Sequence, residues 1–295
     1  MTTAKGRSNH RNRQNPSFSS RMSHHCIFLL IIWGVAVWGQ VPVRAQDSRD
    51  ETAPTTEVES TVEEEIPDAQ QEAMSAGELF RSGVEKARRQ DYAGAIADFS
   101  ETIELAPEYI PAYYNRGLAR SLSGQVDAAI EDYTEVLELN PEDIEAYNNR
   151  GILRYQTGDL DGAIDDYSEA LERNPNKVNA YYNRALARVE AGDLQRALED
   201  YDRAILLDPN DVDAYNNRGI LRSRLGNFTG AIEDYNQAIR RSPSLAEAYY
   251  NRGTALAASG DREGALKDFQ VAAQFFLEAE NTEKHQRVLE AIDRL

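Results

Sequence analysis

The chain has 295 residues, of which 41% are apolar and 28% charged, enough apolar content for a sizeable core. Its formal net charge is −18, and without the six basic residues of 1–45 the remainder has 26 basic and 50 acidic side chains, a net charge of −24. Such an acidic body repels phosphate backbones, which argues against nucleic acid as a partner. Cys26 is the single cysteine, so an internal disulfide framework and a thiolate metal site are both excluded.

The N-terminal region, residues 1–45, has the pattern of a signal peptide. A basic stretch precedes an apolar run of 14 residues at 26–39, which is short for a membrane span and typical of a signal-peptide core. Val43 and Ala45 supply the small residues of a cleavage site, so we expect cleavage after Ala45. The alternative is an uncleaved N-terminal anchor. Either form predicts an exported protein, in the periplasm or on the extracytoplasmic face of a membrane.

Residues 46–75 differ sharply from what precedes them, with ten acids, one Arg and no aromatic residue. Such a composition cannot bury enough apolar surface to offset chain entropy, so the segment is predicted to be a disordered acidic linker. Its alternative role is a docking tail for a basic partner.

The rest of the chain repeats itself every 34 residues, because AYYNRG or a near-copy begins at 112, 146, 180, 214 and 248. A fixed period of this length predicts a repeat architecture. Six blocks follow, which we number repeats 1 to 6: 76–109, 110–143, 144–177, 178–211, 212–245 and 246–279. Within each block the apolar residues recur at helical spacing in two segments, which predicts a pair of helices.

Several columns of the repeat keep one type of residue. Position 20 of every block is Ala, position 24 is aromatic, position 8 is Gly or Ala, and position 32 is Pro in all blocks except the last. This pattern resembles that of tetratricopeptide repeats, and the match covers about 204 of the 295 residues. The resemblance implies an all-α solenoid: six antiparallel helix pairs wound into a right-handed superhelix with a concave groove.

The two ends depart from the pattern, as terminal repeats do. Repeat 1 has Leu79 in place of the first aromatic residue and Gln90 in place of the turn Gly. Repeat 6 lacks the Pro, so its second helix is predicted to continue to about Glu280. Residues 280–295 are predicted to be a capping helix with one apolar stripe and with His285 on its polar side.

No catalytic site is predicted, and neither is a cofactor or a metal site. A nucleophile needs a neighbouring base, and the repeats and cap contain one histidine at their far end. Acidic residues recur once per repeat, which is typical of a structural role. The chain is therefore predicted not to be an enzyme and to have no small-molecule substrate.

The Arg of each copy is predicted to form a structural ion pair. It stands at position 7, and an Asp precedes each aromatic residue of position 24. Because repeat 1 has Asp98 but Ser82 at position 7, we expect each Arg to pair with the Asp of the preceding repeat, as in Arg150–Asp132. The residues are Arg116, Arg150, Arg184, Arg218 and Arg252 with Asp98, Asp132, Asp166, Asp200 and Asp234.

The Asn of each copy is predicted to be functional. In the family, positions 5 and 6 of the first helix line the groove, and an asparagine ladder there resembles the one in O-linked N-acetylglucosamine transferase. Amides can bond to the backbone of an extended peptide. The groove residues are Asn115, Asn149, Asn183, Asn217 and Asn251 at position 6, and Tyr114, Asn148, Tyr182, Asn216 and Tyr250 at position 5. The alternative is that these amides only join neighbouring first helices.

The sequence therefore favours a non-enzymatic scaffold that binds an extended protein or peptide segment in its groove, with a role in envelope assembly or maintenance. Groove positions 2 and 6 lack cations after repeat 1, which favours a basic or weakly charged, partly apolar segment. Two alternatives stay open: a structural spacer without a groove ligand, and an RNA-binding helical repeat, which the charge opposes. Membrane contact is expected only through an uncleaved N-terminal segment.

Overall fold

The computed structural model describes residues 74–295, so the predicted signal peptide and nearly all of the predicted acidic linker lie outside the described residues. The described part is all α-helical, with thirteen helices and no strand. The helices are α1 Ala76–Arg88, α2 Tyr92–Leu105, α3 Ile110–Leu122, α4 Val126–Leu139, α5 Ile144–Thr157, α6 Leu160–Arg173, α7 Val178–Ala191, α8 Leu194–Leu207, α9 Val212–Arg224, α10 Phe228–Arg241, α11 Ala246–Ser259, α12 Arg262–Glu278 and α13 Thr282–Asp293. Each predicted block holds one helix pair. No helix in this range has the length and apolar character needed to span a membrane.

Local residues set where these helices begin and end. Ser75 opens α1 with a capping box, in which its side chain accepts from the Glu78 amide and the Glu78 carboxylate accepts from the Ser75 amide. Inside each pair, a Gly with φ between 80° and 96° ends the tight turn in repeats 2 to 6, where the left-handed conformation costs Gly little. Repeat 1 makes the same turn with Gln90 at φ 65°.

The two helices of a repeat meet through small residues facing an aromatic ring. Tyr167 is buried on α6, and a Cβ added at Gly151 on α5 would lie 2.8 Å from its ring. The position-20 alanines are fully buried in all six repeats, which lets the paired helices approach closely. The Gly or Ala at position 8 and the Ala at position 20 therefore allow close contact between the two helices of a repeat.

The C-terminal end is closed by α13, as predicted. Asn281 caps α13 through the Lys284 amide, and Val288 is buried against Phe276 and Phe269 of α12. The apolar stripe is narrower than predicted, since Leu289 is 38% exposed. His285 is half-buried rather than on an open polar face, with its Nδ1 atom 2.8 Å from the Ala273 carbonyl oxygen.

Neighbouring repeats meet through two alternating kinds of interface. Where position 5 is Tyr (Tyr114, Tyr182), the next repeat presents Leu at position 10 (Leu153, Leu221). Where position 5 is Asn (Asn148, Asn216), the next repeat presents Ala (Ala187, Ala255). The first helices approach each other more closely across the Asn and Ala interfaces, as α5 does to α7 and α9 to α11. Large side chains thus meet at one interface and small ones at the next, which gives repeats 2 to 6 a two-repeat period.

Candidate functional site

In each of repeats 2 to 6, an arginine of the first helix binds a buried aspartate of the second. In repeat 3, the Arg150 Nε atom donates to Asp166 Oδ2 at 3.0 Å and its Nη2 atom donates to Asp166 Oδ1 at 2.7 Å. The Asp166 side chain is buried, and the Arg150 guanidinium also stacks over the Tyr147 ring at 5.8 Å. We call this bidentate pair the arginine clasp; it recurs as Arg116–Asp132, Arg184–Asp200, Arg218–Asp234 and Arg252–Asp268.

The predicted register of these ion pairs is wrong. Each Arg pairs with the Asp of its own repeat rather than with that of the preceding repeat, so Arg150 binds Asp166 and not Asp132. The reason is geometric: position 7 on the first helix and position 23 on the second face each other across one helix pair. Asp98, which same-repeat pairing was expected to leave alone, is bound by Lys86 at 2.7 Å.

Lys86 belongs to a second column of cations that sequence reasoning missed. Position 11 holds Arg120, Arg154, Arg188 and Arg222 in repeats 2 to 5, one helical turn after the clasp arginine, and each binds the same aspartate at 2.6–2.9 Å. Repeat 6 has Leu256 there. The recurrence of a cation at position 11 was visible in the sequence and would have supplied a partner for Asp98.

The clasp does link neighbouring repeats, through a different residue from the predicted one. The third guanidinium nitrogen, Nη1, of Arg150 donates to Thr134 Oγ1 of repeat 2 at 3.0 Å. The same atom in the other clasps reaches Ser100, Ser168, Asp202 or Asn236, at 2.6–3.1 Å. Position 25 therefore carries a hydrogen-bond acceptor in each of repeats 1 to 5, and one guanidinium joins the two helices of its repeat to the repeat before.

Burial dominates the electrostatics of the clasp. It raises the pKa of Asp132, Asp166 and Asp234, against the two arginines that lower each of them. Removing these charges from water is costly, so a buried pair adds less to stability than its short distances suggest. Removing one partner would leave the other charge buried and uncompensated.

The inner face of the array is formed by the first helices. Consecutive first helices contact one another at three of the five junctions (α1–α3, α5–α7 and α9–α11), and no two consecutive second helices among the described residues approach as closely. A stack whose like helices converge on one side curves toward that side. Positions 5, 6, 9, 12 and 13 of the first helices therefore lie on or beside the inner face.

The asparagines of position 6 use their donors within the protein. Asn149 Nδ2 donates to the Tyr114 hydroxyl at 2.9 Å and Asn217 Nδ2 donates to the Tyr182 hydroxyl at 2.8 Å. Asn251 Nδ2 donates to Asn216 Oδ1 at 3.2 Å, and Asn115 bonds back to the Pro111 carbonyl. The bonds of Asn149, Asn217 and Asn251 join successive first helices, whereas that of Asn115 lies within its own helix.

Two of the predicted groove residues are too buried to meet a ligand. Asn148 and Asn183 are each only 4% exposed, at the closely packed interface between α5 and α7. Asn148 Oδ1 and Asn183 Nδ2 have no hydrogen-bond partner, although the corresponding atoms of Asn216 and Asn251 bond to each other. The prediction that these two line an accessible groove is wrong, because both side chains are buried between α5 and α7.

The tyrosines of position 5 lie half-buried above the aromatic column. Tyr114 packs edge-on against Tyr133 at 5.5 Å and Tyr182 against Tyr201 at 6.0 Å, while Tyr250 lies tilted on Phe269 at 5.7 Å. Burial raises the pKa of the Tyr114 hydroxyl, and the charges of Glu145 and Asp143 raise it further. These rings supply apolar area at three places on the inner face.

Among residues 74–295, no three His, Cys, Asp or Glu side chains are placed to hold a metal ion. The position-23 aspartates of repeats 2 to 6 are engaged in clasps, so these recurring residues bind helices together.

Comparison with known proteins gives the family of the repeats. Tetratricopeptide repeat family models match residues 114–178, 167–199 and 184–249. The array is a tetratricopeptide repeat solenoid. A curated relative, tetratricopeptide repeat protein 36 of Xenopus tropicalis, is 47% identical over 53 residues, which is 18% of this chain and 26% of that protein. The matched stretch therefore spans about a quarter of that relative.

Solved tetratricopeptide structures share the fold. The MamA protein is 27% identical, with 60% of this chain and 97% of that chain covered and a TM-score of 0.56. YrrB, described as having an unusual peptide-binding site, is 24% identical over 67% of this chain and 98% of that chain, with a TM-score of 0.57. PilW, a type IV pilus biogenesis factor, is 20% identical over 75% and 100%, with a TM-score of 0.61. The described residues thus share the fold of these solved structures.

Proposed function

We propose that this protein is a non-catalytic scaffold that holds an extended segment of a partner protein along its inner face. The observation that carries the proposal is the continuity of that face. Amide and hydroxyl groups of successive first helices bond to one another, as Asn149 does to Tyr114 and Asn217 to Tyr182, which sets polar and aromatic groups in one row. YrrB, of the same fold, is described as having a peptide-binding site.

The groups open to a partner differ from the full predicted set. The hydrogen bonds of Asn115, Asn149, Asn217 and Asn251 are made by their Nδ2 atoms. Their side-chain carbonyl oxygens accept no hydrogen bond among the described residues, so they remain acceptors for peptide N–H groups. Half-buried tyrosines and the apolar residues Leu186 and Ile220 of position 9 would supply the apolar contact. Asn148 and Asn183 are left out because they are buried.

A spacer without a groove ligand is the second candidate, favoured by one observation. Asn149, Asn217 and Asn251 each donate one hydrogen bond to the preceding first helix, as stacking alone would require. The two candidates differ in what the loss of these amides does: a binding role makes partner capture fail, and a stacking role lowers stability.

The test replaces Asn149 and Asn217 together with Ala in the full chain. Envelope extract is passed over the immobilised protein, the retained segment is mapped by mass spectrometry, and its synthetic copy is titrated by calorimetry. We expect the double variant to bind this synthetic segment at least tenfold more weakly with little change in melting temperature. Glu135→Ala with Glu199→Ala, on exposed second-helix positions, is the matched control and should bind normally. If the Asn149 and Asn217 variant binds as the wild type does but unfolds at a lower temperature, the spacer is the function that remains.

We further propose export, from the basic and apolar pattern of residues 1–45. The name of PilW, a pilus biogenesis factor with this fold, is compatible with a role at the envelope. N-terminal sequencing of the protein from its host is expected to begin at Gln46. Recovery of an intact 26–39 segment in the membrane fraction would show an anchor instead.

A further inference from the structure

Two equivalent places on the inner face are furnished very differently. Between repeats 3 and 4, the Tyr155 ring packs over Tyr167 and Ala187 and its hydroxyl faces the Glu190 carboxylate. Between repeats 5 and 6, Ser223 stands where Tyr155 does, and Ala258 stands where Glu190 does. Thr254 likewise replaces Leu186 at position 9, where Leu186 packs with Tyr201 and Leu221. The two side chains that fill the first place, Tyr155 and Glu190, are thus cut back together in the second.

The cut-back place keeps the same framework beneath it. Tyr235 is buried there and packs with Ala231 and Ala255, as Tyr167 packs with Ala163 and Ala187. The Ser223 Oγ atom lies 3.5 Å from the Tyr235 hydroxyl. Because the backbone register and the aromatic column are unchanged, smaller side chains leave a recess rather than a different packing. We call the recess lined by Ser223, Thr254, Ala255 and Ala258 the repeat 5/6 recess.

Charge also distinguishes repeat 5 from the rest of the described chain. Repeat 5 has five basic and three acidic residues, whereas residues 74–295 together have 25 basic and 40 acidic. Arg224 follows Ser223 on α9, is exposed, and makes no ion pair among the described residues. In the filled place the corresponding pair is Gln156 and Glu190. Beside the recess, Arg224 is thus a cation without an ion pair among the described residues, and Ala258 stands in place of the Glu190 carboxylate.

We propose that the repeat 5/6 recess binds an aromatic side chain of the partner, with an acidic residue beside it. The partner's ring would occupy the position that Tyr155 occupies between repeats 3 and 4, and its carboxylate would pair with Arg224. The partner thereby supplies both groups that the chain itself supplies two interfaces earlier, between repeats 3 and 4. This inference rests on the proposed function, since it names the segment that the inner face selects.

The experiment measures fluorescence anisotropy of labelled peptides on the full chain. The probe is Ac-Ser-Glu-Tyr-Glu-Ser-NH2, compared with a version carrying Ala in place of Tyr and a version carrying Lys in place of both Glu. We expect the Tyr peptide to bind at least about tenfold more tightly than either, the effect of one buried aromatic anchor or one charge pair.

A filled recess is the decisive variant. Ser223→Tyr with Ala258→Glu copies the side chains of repeats 3 and 4, so it should remain folded and lose the preference for the Tyr peptide. Ser121→Tyr adds an aromatic ring at the same position, 12, of repeat 2, away from the recess, and should keep the preference. Melting temperatures of both variants verify folding.

Two results would overturn the inference. One is equal affinity for the Tyr and Ala peptides in the wild type, and the other is an unchanged preference in the filled variant. Either result leaves the proposed function standing if the Asn149 and Asn217 variant still fails to bind the segment mapped from the envelope extract. Loss of the proposed function would instead appear as normal binding by that Asn variant.

Discussion

The first repeat and the internal repeats share one helical register but differ in how they hold their conserved aspartate. Asp166 of repeat 3 is bound by two arginines, one of which also reaches repeat 2. Asp98 of repeat 1 is bound by Lys86 alone, and its Oδ2 atom is buried without a partner. Repeat 1 has no predecessor to reach, and it has Ser82 where the clasp arginine would stand. The difference indicates that the clasp serves the junction between repeats as much as the repeat itself.

The largest expected effect comes from opening an internal clasp. Asp166→Ala leaves Arg150 and Arg154 without their counter-charge in a largely buried site, so we expect a loss of about 3–5 kcal/mol in the free energy of unfolding. Asp98→Ala should cost about 1 kcal/mol or less, because Lys86 is partly exposed and can be solvated. Urea unfolding followed by circular dichroism measures both. Equal losses would remove the distinction between the two regions.

The second effect separates the repeats by their aromatic column. Position 24 is Phe99 in repeat 1 and a buried Tyr in repeats 2 to 5, and burial raises the pKa of Tyr235 from 10.0 to about 12. An acid with a raised folded-state pKa contributes its stability below pH 10, and that stability is lost as pH rises from 10 to 12. We expect a loss of about 2–3 kcal/mol for Tyr235 alone by pH 12.

The control for the alkaline loss is Tyr235→Phe, which should unfold with a shallower dependence on pH in this range. Absorbance at about 295 nm reports tyrosine ionisation in the same samples, so it checks the pH range in which the hydroxyl loses its proton. If the wild type and the variant lose stability in parallel between pH 10 and 12, Tyr235 is not the group that titrates.

A third change gives repeat 1 the missing arginine. Ser82→Arg places a guanidinium within reach of the free Asp98 Oδ2 atom, and we expect a gain of about 1 kcal/mol in the free energy of unfolding. Ser82→Lys is the matched control, since an ammonium cannot bind both carboxylate oxygens in the bidentate manner. No gain with Arg, or the same gain with Lys, would show that the clasp geometry has no value without a preceding repeat.

The smallest effect concerns the turn of repeat 1. Gln90 adopts φ 65° where Gly occupies the same position in repeats 2 to 6. Gln90→Gly should raise the free energy of unfolding by about 0.5–1 kcal/mol, because a side chain is strained in the left-handed region. Gly158→Ala in repeat 3 should lower stability by a similar amount. The two shifts in melting temperature need opposite signs for the turns to be equivalent.

The fold followed from the sequence because its signals are local and repeated. The 34-residue period, the Ala and aromatic columns and the Pro at position 32 each specify a part of one helix pair, and six copies agree. The ion-pair register did not follow, because Ser82 at position 7 of repeat 1 indicated that Asp98 has no cation in its own repeat. The cation at position 11 was overlooked, although Lys86 stands there in repeat 1.

The candidate site was predicted in part for a related reason. Position 6 lies toward the inner face, but the exposure of each Asn depends on its neighbour across the interface. Asn148 is buried where Ala187 faces it, whereas Asn216 is half-exposed although Ala255 stands in the equivalent place. Asn115 is half-exposed at the interface where Leu153 faces Tyr114. The alternation at position 10 can be read from the sequence, but its consequence is a property of packing between repeats.

The most direct measurement of the central claim places a photo-crosslinking residue on each side of one repeat. Gln156→benzoylphenylalanine lies on the inner face of repeat 3, and Glu172→benzoylphenylalanine lies on its exposed second-helix surface. The segment mapped from the envelope extract, as a synthetic peptide, is irradiated with each full-length variant. We expect cross-linked product from Gln156 and none from Glu172. Product from Glu172 alone, or equal product from both, would contradict binding along the inner face.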